Sequence, residues 1–215
     1  MFSEGLILLG MDMLGLYSVA KSTHAVGAPL LQDSISLDDS RIDQRPNLML
    51  DHIITVTISQ YLAALKTLEH CTLQCPPEQW SGNVANKPFS QTAFHTLFFA
   101  DLYLGNSIEE MKSQVFHQDH DEFSGYEELE KNPSTKTYSQ GFIEEYGAFC
   151  AAKVRSVLEN ETEASLQSES GIPWQEISRA ELHTYNIRHI QHHAAQLILR
   201  LRLDSDVDIP WVKTA

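Results

Sequence analysis

Basic side chains are scarce in this sequence. Its 215 residues include 15 Lys and Arg against 29 Asp and Glu, which gives a formal net charge of −14. Proteins that bind nucleic acid or an anionic membrane surface usually present a basic patch to the phosphates. The acidic balance therefore predicts that neither nucleic acid nor a membrane is a partner of this protein.

Cysteine is also rare, with only Cys71, Cys75 and Cys150 in the whole chain. Three is an odd number, no Cys-x-x-Cys pair occurs, and a chain of this length can bury a core without disulfides. The i, i+4 spacing of Cys71 and Cys75 lacks the second ligand pair of a structural metal site, so we interpret both as ordinary, partly buried cysteines. The composition predicts a reducing, cytoplasmic location.

The apolar start of the chain, "GLILLGMDMLGLYSVA", lacks the features of a targeting segment. Glu4 stands where a secretory signal has basic residues, and Asp12 interrupts the apolar run. The run is also shorter than the roughly 20 apolar residues of a membrane span. We expect residues 1–48 to form an N-terminal extension, helical or loosely docked, and residues 49–215 to form one domain.

Alternating apolar and polar runs, which would indicate strands, are missing, and so are internal repeats. Apolar residues instead recur at helical spacing in four stretches, which begin near residues 50, 91, 138 and 179. Pro76 and Pro77 end the first, and Ser90 is the predicted N-cap of the second, which Gly105 would end as its C′ residue. The pattern predicts an all-α fold, a four-helix bundle.

Capping boxes are predicted at the starts of the third and fourth helices, where Thr137 precedes Gln140 and Ser178 precedes Glu181 by three residues. Between the second and third helices, residues 106–136 are polar and acidic. We expect them to form a surface excursion in which the ligand-rich run "HQDHDE" at 117–122 is solvated.

The stretch "YNIRHIQHHAAQL" places three histidines in the last helix. At about 100° per residue, His193 lies about 40° from His189 on the side of the apolar stripe. His192 lies about 60° away on the opposite side, which predicts a position on the rim or surface. His189 and His193 therefore face inward together, and their i, i+4 spacing allows both to reach one ion.

A third histidine, His95, lies among Phe98, Phe99 and Leu102 on the apolar face of the second helix. Each histidine taken alone is compatible with a core residue satisfied by a hydrogen bond. Three inward histidines on two helices favour a metal site, because one ion would satisfy several desolvated imidazoles together. Asp101 points away from His95, which predicts that it pairs on another face.

His95, His189 and His193 are thus the predicted metal ligands. Three imidazoles leave a divalent transition metal with an open position, as in catalytic sites, and imidazole suits zinc, nickel, copper or iron. Tyr185, one turn before His189, and His192 are candidate pocket residues that would contact a ligand or cofactor. No general base can be named from the sequence, where His192 is a candidate by proximity alone.

These motifs resemble those of the DinB-like superfamily, also called DinB/YfiT, a group of metalloenzymes. The segment "FHTLFFADLYL", with His95, is similar to its helix-two segment, and "RHIQHHAAQL", with His189 and His193, is similar to the H-x-x-x-H pair of its last long helix. The similarity runs from about Met49 to Leu203, so it leaves out the first 48 residues, and the 106–136 excursion is longer than the family pattern.

The resemblance implies a left-handed four-helix bundle, a divalent metal such as zinc, nickel or iron and, often, a homodimer. It also implies an enzyme that transfers a low-molecular-weight thiol, such as bacillithiol or mycothiol, to a small-molecule substrate. Two alternatives stay open at this point. One is a metal-dependent hydrolase, and the other is a noncatalytic protein whose metal supports the bundle or a dimer.

Overall fold

A computed structural model describes residues 47–84, 87–107, 109–110, 116 and 137–215. Helices dominate these residues, which confirms the prediction of an all-α protein. The helices are α1 Leu48–Gln74, α2 Pro77–Trp80, α3 Phe89–Leu104, α4 Gln140–Leu158, α5 Glu163–Gln167 and α6 Arg179–Ser205. Most of the predicted N-terminal extension and of the 106–136 excursion, including "HQDHDE", lies outside the described residues.

The four long helices contact one another in a closed order. Helix α1 packs against α4 and α6, and α3 packs against the same two helices from the other side. Their inward faces form one apolar core. Its largest fully buried side chains are Tyr61, Leu68, Phe89, Phe94, Leu97, Phe98, Leu102, Leu104, Ile143, Tyr146 and Leu158. The α3–α6 contact is the one that brings the predicted ligands together.

Helix α1 is also long and apolar enough, by length and composition, to cross a membrane. Core helices of soluble proteins share these properties, so the pattern carries little weight. From Tyr61 to Thr72 its inward residues are buried against the neighbouring helices, whereas Leu48, Met49 and Ile53 near its start are exposed.

Short polar side chains cap three of the long helices. The oxygens of Asn47, Ser139 and Ser178 accept hydrogen bonds from the backbone three residues later, at the starts of α1, α4 and α6. Such caps satisfy amides that have no partner inside the helix. Of the capping box predicted for Ser178 and Glu181, the structure confirms the half in which the Ser178 hydroxyl accepts from the backbone N–H of Glu181.

Two other predicted caps are wrong. Ser90 lies buried inside α3, which begins one residue earlier because Pro88 already holds the extended conformation of an N-cap residue. Thr137 is replaced by Ser139, two residues closer to the helix. Gln140 is committed elsewhere, since its amide donates to the carbonyls of Thr72 and Cys75 at the end of α1, both at 3.0 Å.

A short antiparallel hairpin, β1 Asn83–Val84 and β2 Lys87–Pro88, precedes α3 and was not predicted. Two-residue strands are too short to show an alternating pattern. Arg200 of α6 anchors the hairpin by donating to the carbonyls of Gly82 at 2.6 Å and Lys87 at 3.4 Å. Its guanidinium also lies over the ring of Phe89, 5.4 Å from the centroid.

The end of α3 is held by a side chain from α6. Gly105 follows the last residue of the helix, but as its C-cap rather than the predicted C′ residue, and its backbone is extended rather than left-handed, with φ −77° and ψ 179°. The guanidinium of Arg179 donates to the carbonyls of Tyr103, Leu104 and Gly105, at 3.3, 2.9 and 2.6 Å. The last carbonyls of a helix have no N–H partner within it. Arg179 satisfies them here and so takes the place of the expected C-cap motif.

Arg179 belongs to a buried polar network that the sequence did not indicate. Its Nε donates to Glu161 Oε1 at 2.9 Å, and the same oxygen lies 3.1 Å from Nε2 of His183, whose Nδ1 is 3.2 Å from the Tyr61 hydroxyl. Burial acts to raise the pKa of Glu161, but hydrogen bonds from Ser165, Arg179 and His183 hold it below its usual value. The network therefore joins α1, α3 and α6 around one carboxylate.

Candidate metal centre

Helices α3 and α6 bring His95, His189 and His193 together at their contact. His95 and His193 are buried, and His189 is half-buried. The ring centroids of His95 lie 5.5 Å from His189 and 4.7 Å from His193, and those of His189 and His193 are 4.5 Å apart. The three imidazoles thus form one cluster, which we call the His triad.

One ring nitrogen from each member of the His triad lies within 4.8 Å of the other two. A histidine nitrogen sits about 2.0–2.1 Å from a bound zinc ion, so small rotations of the rings would place all three around one ion. Among the described residues, the His triad is the group of potential metal ligands whose ligand atoms lie this close together. A buried His triad of this kind is consistent with a divalent metal.

The environment of His189 is that of a neutral ligand. Burial first, and then the neighbouring His193, His95 and His192, lower its pKa to about 2. The imidazole therefore carries a free lone pair near neutral pH. Its Nδ1 is buried and makes no hydrogen bond to any described residue, which leaves a polar atom that a metal or an unplaced partner would satisfy.

Gln196 connects His193 to His192 on the outer side of the His triad. Its Oε1 lies 3.0 Å from His193 Nδ1, and its Nε2 lies 3.1 Å from His192 Nε2. His192 itself is exposed, on the side that helical phase predicts. Its predicted role as a pocket residue stays a prediction.

Aromatic side chains line one side of the His triad. The ring of Phe99 lies 4.8 Å from His95 and 5.7 Å from His189, and the ring of Tyr103 lies 6.0 Å from His189. Burial raises the pKa of Tyr103, and its hydroxyl accepts a hydrogen bond from Gln175 at 3.4 Å. The wall is apolar near the histidines and polar further out.

Tyr185, a predicted pocket residue, stands one step further from the His triad. Its ring contacts Tyr103 edge to face at 5.5 Å, and 37% of the residue is exposed. Tyr103 contacts both Tyr185 and His189. A ligand that extends outward from the histidines along the aromatic wall would meet Tyr185, but the role of this residue stays a prediction.

Asp101 points away from the histidines, as its helical phase predicts. It is fully buried, pairs with Lys153 at 2.7 Å and accepts a hydrogen bond from the Tyr146 hydroxyl at 2.9 Å. The cysteines are buried and unpaired, and burial raises the pKa of Cys71 to about 12. A protonated, buried thiol is a poor nucleophile, so Cys71 takes no part in the candidate site.

Gln196 and Tyr103 are the neighbours of the His triad that sequence reasoning missed. Gln196 follows His193 by three residues and His192 by four, a spacing that places them on one side of the helix. That signal was available, but it does not reveal which ring a glutamine contacts. Tyr103 lies two turns after His95 on α3. At that position of an apolar helix face, the sequence pattern favours an ordinary core residue.

Comparisons of the chain with protein-family models, with curated proteins and with solved structures found no match. The likeness of its histidine motifs to the DinB-like superfamily therefore stays a prediction, and the case for function depends on the His triad and its surroundings.

Proposed function

We propose that this protein is a divalent-metal-dependent enzyme of the DinB-like superfamily. In this proposal α1, α3, α4 and α6 form the four-helix bundle of that family, and His95, His189 and His193 are the metal ligands. The contacts of each long helix with two others support the bundle. The positions of the histidines, one on the second long helix and two on the last, agree with the pattern that the resemblance implies.

The observation that carries the proposal is the convergence of three desolvated imidazoles on one point. Burial of a ring nitrogen without a partner is costly, and Nδ1 of His189 makes no hydrogen bond to a described residue, which supports a ligand role for this histidine. Three neutral ligands suit a divalent transition metal such as zinc, nickel or iron. They leave coordination positions for a small molecule, which favours a catalytic over a purely structural site.

A divalent ion held by the His triad would supply a Lewis acid that lowers the pKa of a coordinated thiol or water. The protein's own residues would then shape the pocket. Phe99 would cover one side of the histidines, and Tyr103 and Tyr185 would flank the outer part of a substrate.

The resemblance selects thiol transfer as the proposed reaction. A low-molecular-weight thiol would lose its proton to solvent, and its sulfur would attack an electrophilic carbon of the substrate. A carbon–sulfur bond forms while the bond from that carbon to its leaving group breaks, so the leaving group departs with the bonding electrons. A cytoplasmic location and a homodimer are further parts of this proposal, and three unpaired cysteines agree with a reducing compartment.

Elemental analysis of the untagged protein tests the metal site directly. We expect about one divalent transition-metal ion per chain, in keeping with one triad of ligands. The matched control is His52→Ala, which removes an exposed histidine of α1 and should leave the metal content unchanged. Sub-stoichiometric amounts of every transition metal in the wild-type protein would overturn the proposal.

A second measurement separates the candidate activities. Metal-loaded protein is mixed with bacillithiol or mycothiol and an alkyl chloride that becomes fluorescent when sulfur displaces chloride. Metal-dependent product formation supports thiol transfer. Hydrolysis of an activated ester without any thiol would instead establish the hydrolase, and full metal content with neither activity would favour a noncatalytic metal-binding protein.

A further inference from the structure

The side chain of Gln196 joins a buried and an exposed histidine on α6. Its amide oxygen lies 3.0 Å from Nδ1 of His193, and its amide nitrogen lies 3.1 Å from Nε2 of His192. An amide oxygen only accepts and an amide nitrogen only donates. The contact with His193 therefore requires a hydrogen on Nδ1, and the contact with His192 requires a lone pair on Nε2.

We infer that Gln196 is the residue that positions His193 for metal binding. By accepting from Nδ1–H, it fixes the tautomer in which Nε2 of His193 carries the lone pair, and it holds the ring in the orientation that faces His95. The inference rests on the proposed function, since it assumes that the His triad binds a metal.

The opposite orientation of the amide does not fit a metal site. It would place the NH₂ group against Nδ1 of His193 and force the ring hydrogen onto Nε2, the nitrogen that remains for a ligand bond. Metal-binding histidines commonly donate their other ring N–H to an acceptor, and the loss of such a partner costs about 10- to 100-fold in metal affinity. Within the described residues Gln196 supplies this acceptor to His193, whereas Nδ1 of His189 has none.

His192 plays a secondary part in the same arrangement. As an exposed acceptor for the amide nitrogen of Gln196, it holds the amide in the orientation that points its oxygen at His193. This gives His192 a function without a ligand bond to the metal, which agrees with its outward phase on the helix.

The test compares Gln196→Leu with Gln196→Glu. Leucine removes the acceptor, so we expect the dissociation constants for zinc and nickel to rise by about 10- to 100-fold. Glutamate restores an acceptor of greater charge, so its affinity should equal or exceed that of the wild type. Competition against a chromophoric chelator measures both constants. Gln191→Leu, at another half-buried glutamine of α6, is the matched control and should change neither constant.

Urea unfolding of the metal-free variants separates positioning from general stability. We expect metal-free Gln196→Leu to unfold at nearly the wild-type midpoint, because the hydrogen bonds of Gln196 to His192 and His193 join side chains of a single helix at its half-buried edge. Unchanged metal affinity in Gln196→Leu, or an equal loss in Gln196→Glu, would overturn the inference while leaving the proposed function intact. A wild-type protein that binds neither zinc nor nickel would overturn the proposed function itself.

Discussion

His189, His192 and His193 differ in environment although they lie within five positions of the sequence. His193 is buried, His189 half-buried and His192 exposed. Helical phase predicts this division because each residue turns about 100° around the axis. The phase could not predict the contacts of Gln196, since these depend on the rotamer of a flexible side chain rather than on its position along the helix.

Replacing His193 by alanine should abolish tight metal binding. It removes one of three ligands, and even an outer partner of a metal-binding histidine is worth about 10- to 100-fold in affinity. We therefore expect the dissociation constant for zinc to rise by more than about 100-fold, measured by chelator competition. Full metal content in purified His193→Ala would show that the His triad is wrongly assigned.

Replacing His192 by alanine should largely spare the metal. The oxygen of Gln196 can still accept from His193 when the outer acceptor is absent, so we expect a change in affinity of less than about tenfold. The same chelator competition applies, with His52→Ala as the surface control. A loss as large as that of His193→Ala would make His192 a ligand and contradict the helical-phase assignment.

The elements show where local sequence signals succeed and where they fail. Ser178 was predicted as a cap because cap and helix are adjacent in sequence. Gln140 was misread for the opposite reason. Its amide satisfies the carbonyls of Thr72 and Cys75, which are more than sixty residues away and which no local pattern connects to it. Arg179 of α6, which donates to the last carbonyls of α3, is a second long-range cap of this kind.

Replacing Arg179 by methionine should strongly destabilise the fold. The change leaves the buried Glu161 carboxylate without its cation and the last carbonyls of α3 without donors. Breaking a buried ion pair from one side costs about 3–5 kcal/mol. Urea unfolding measures the loss of free energy of unfolding relative to the wild type.

The control for this prediction is an exposed ion pair in the same molecule. Lys66 and Glu69 lie 2.7 Å apart on α1, with 45% and 44% of their side chains exposed. Exposed pairs contribute about 0–1 kcal/mol, so Lys66→Met should have little effect. If Arg179→Met costs no more than Lys66→Met, the buried network does not stabilise the contact between α3 and α6.

At the scale of the whole molecule, the sequence predicts the fold class well because four long amphipathic stretches leave few other ways to bury their apolar faces. It predicts the His triad for a related reason, since residues on the inward faces of neighbouring helices must meet. It does not predict the hairpin before α3 or the Glu161 network. These depend on backbone carbonyls whose positions follow only from the assembled helices.

The metal-free protein should lose stability as the pH falls. The pKa of folded His189 is about 2, because of burial and then of its histidine neighbours, whereas an unfolded histidine titrates near about 6.5. Below that pH, His189 binds a proton in the unfolded chain but stays neutral in the folded protein. The free energy of unfolding contributed by this residue is therefore fully present above about pH 6.5 and falls by about 1.4 kcal/mol per pH unit below it.

Urea unfolding in the presence of a chelator, between about pH 7 and about pH 5, measures this dependence. His189→Gln removes the titrating group. Its free energy of unfolding should therefore fall less steeply as the pH falls, and the difference in slope should approach about 1.4 kcal/mol per pH unit, the contribution of one proton. His183, whose pKa is also lowered by burial and then by the charge of Arg179, should account for part of the remaining slope. Equal slopes in wild type and His189→Gln would contradict the assigned burial.

The spacing of the His triad along the chain has a mechanical consequence. His95 and His193 are about 100 residues apart in sequence, so an ion bound to both would close a loop that spans nearly half of the protein. It would act as a reversible cross-link in a chain whose cysteines are all unpaired. Such an ion would add a link between α3 and α6 to their apolar packing and to the hydrogen bonds of Arg179, and its removal would leave those contacts in place.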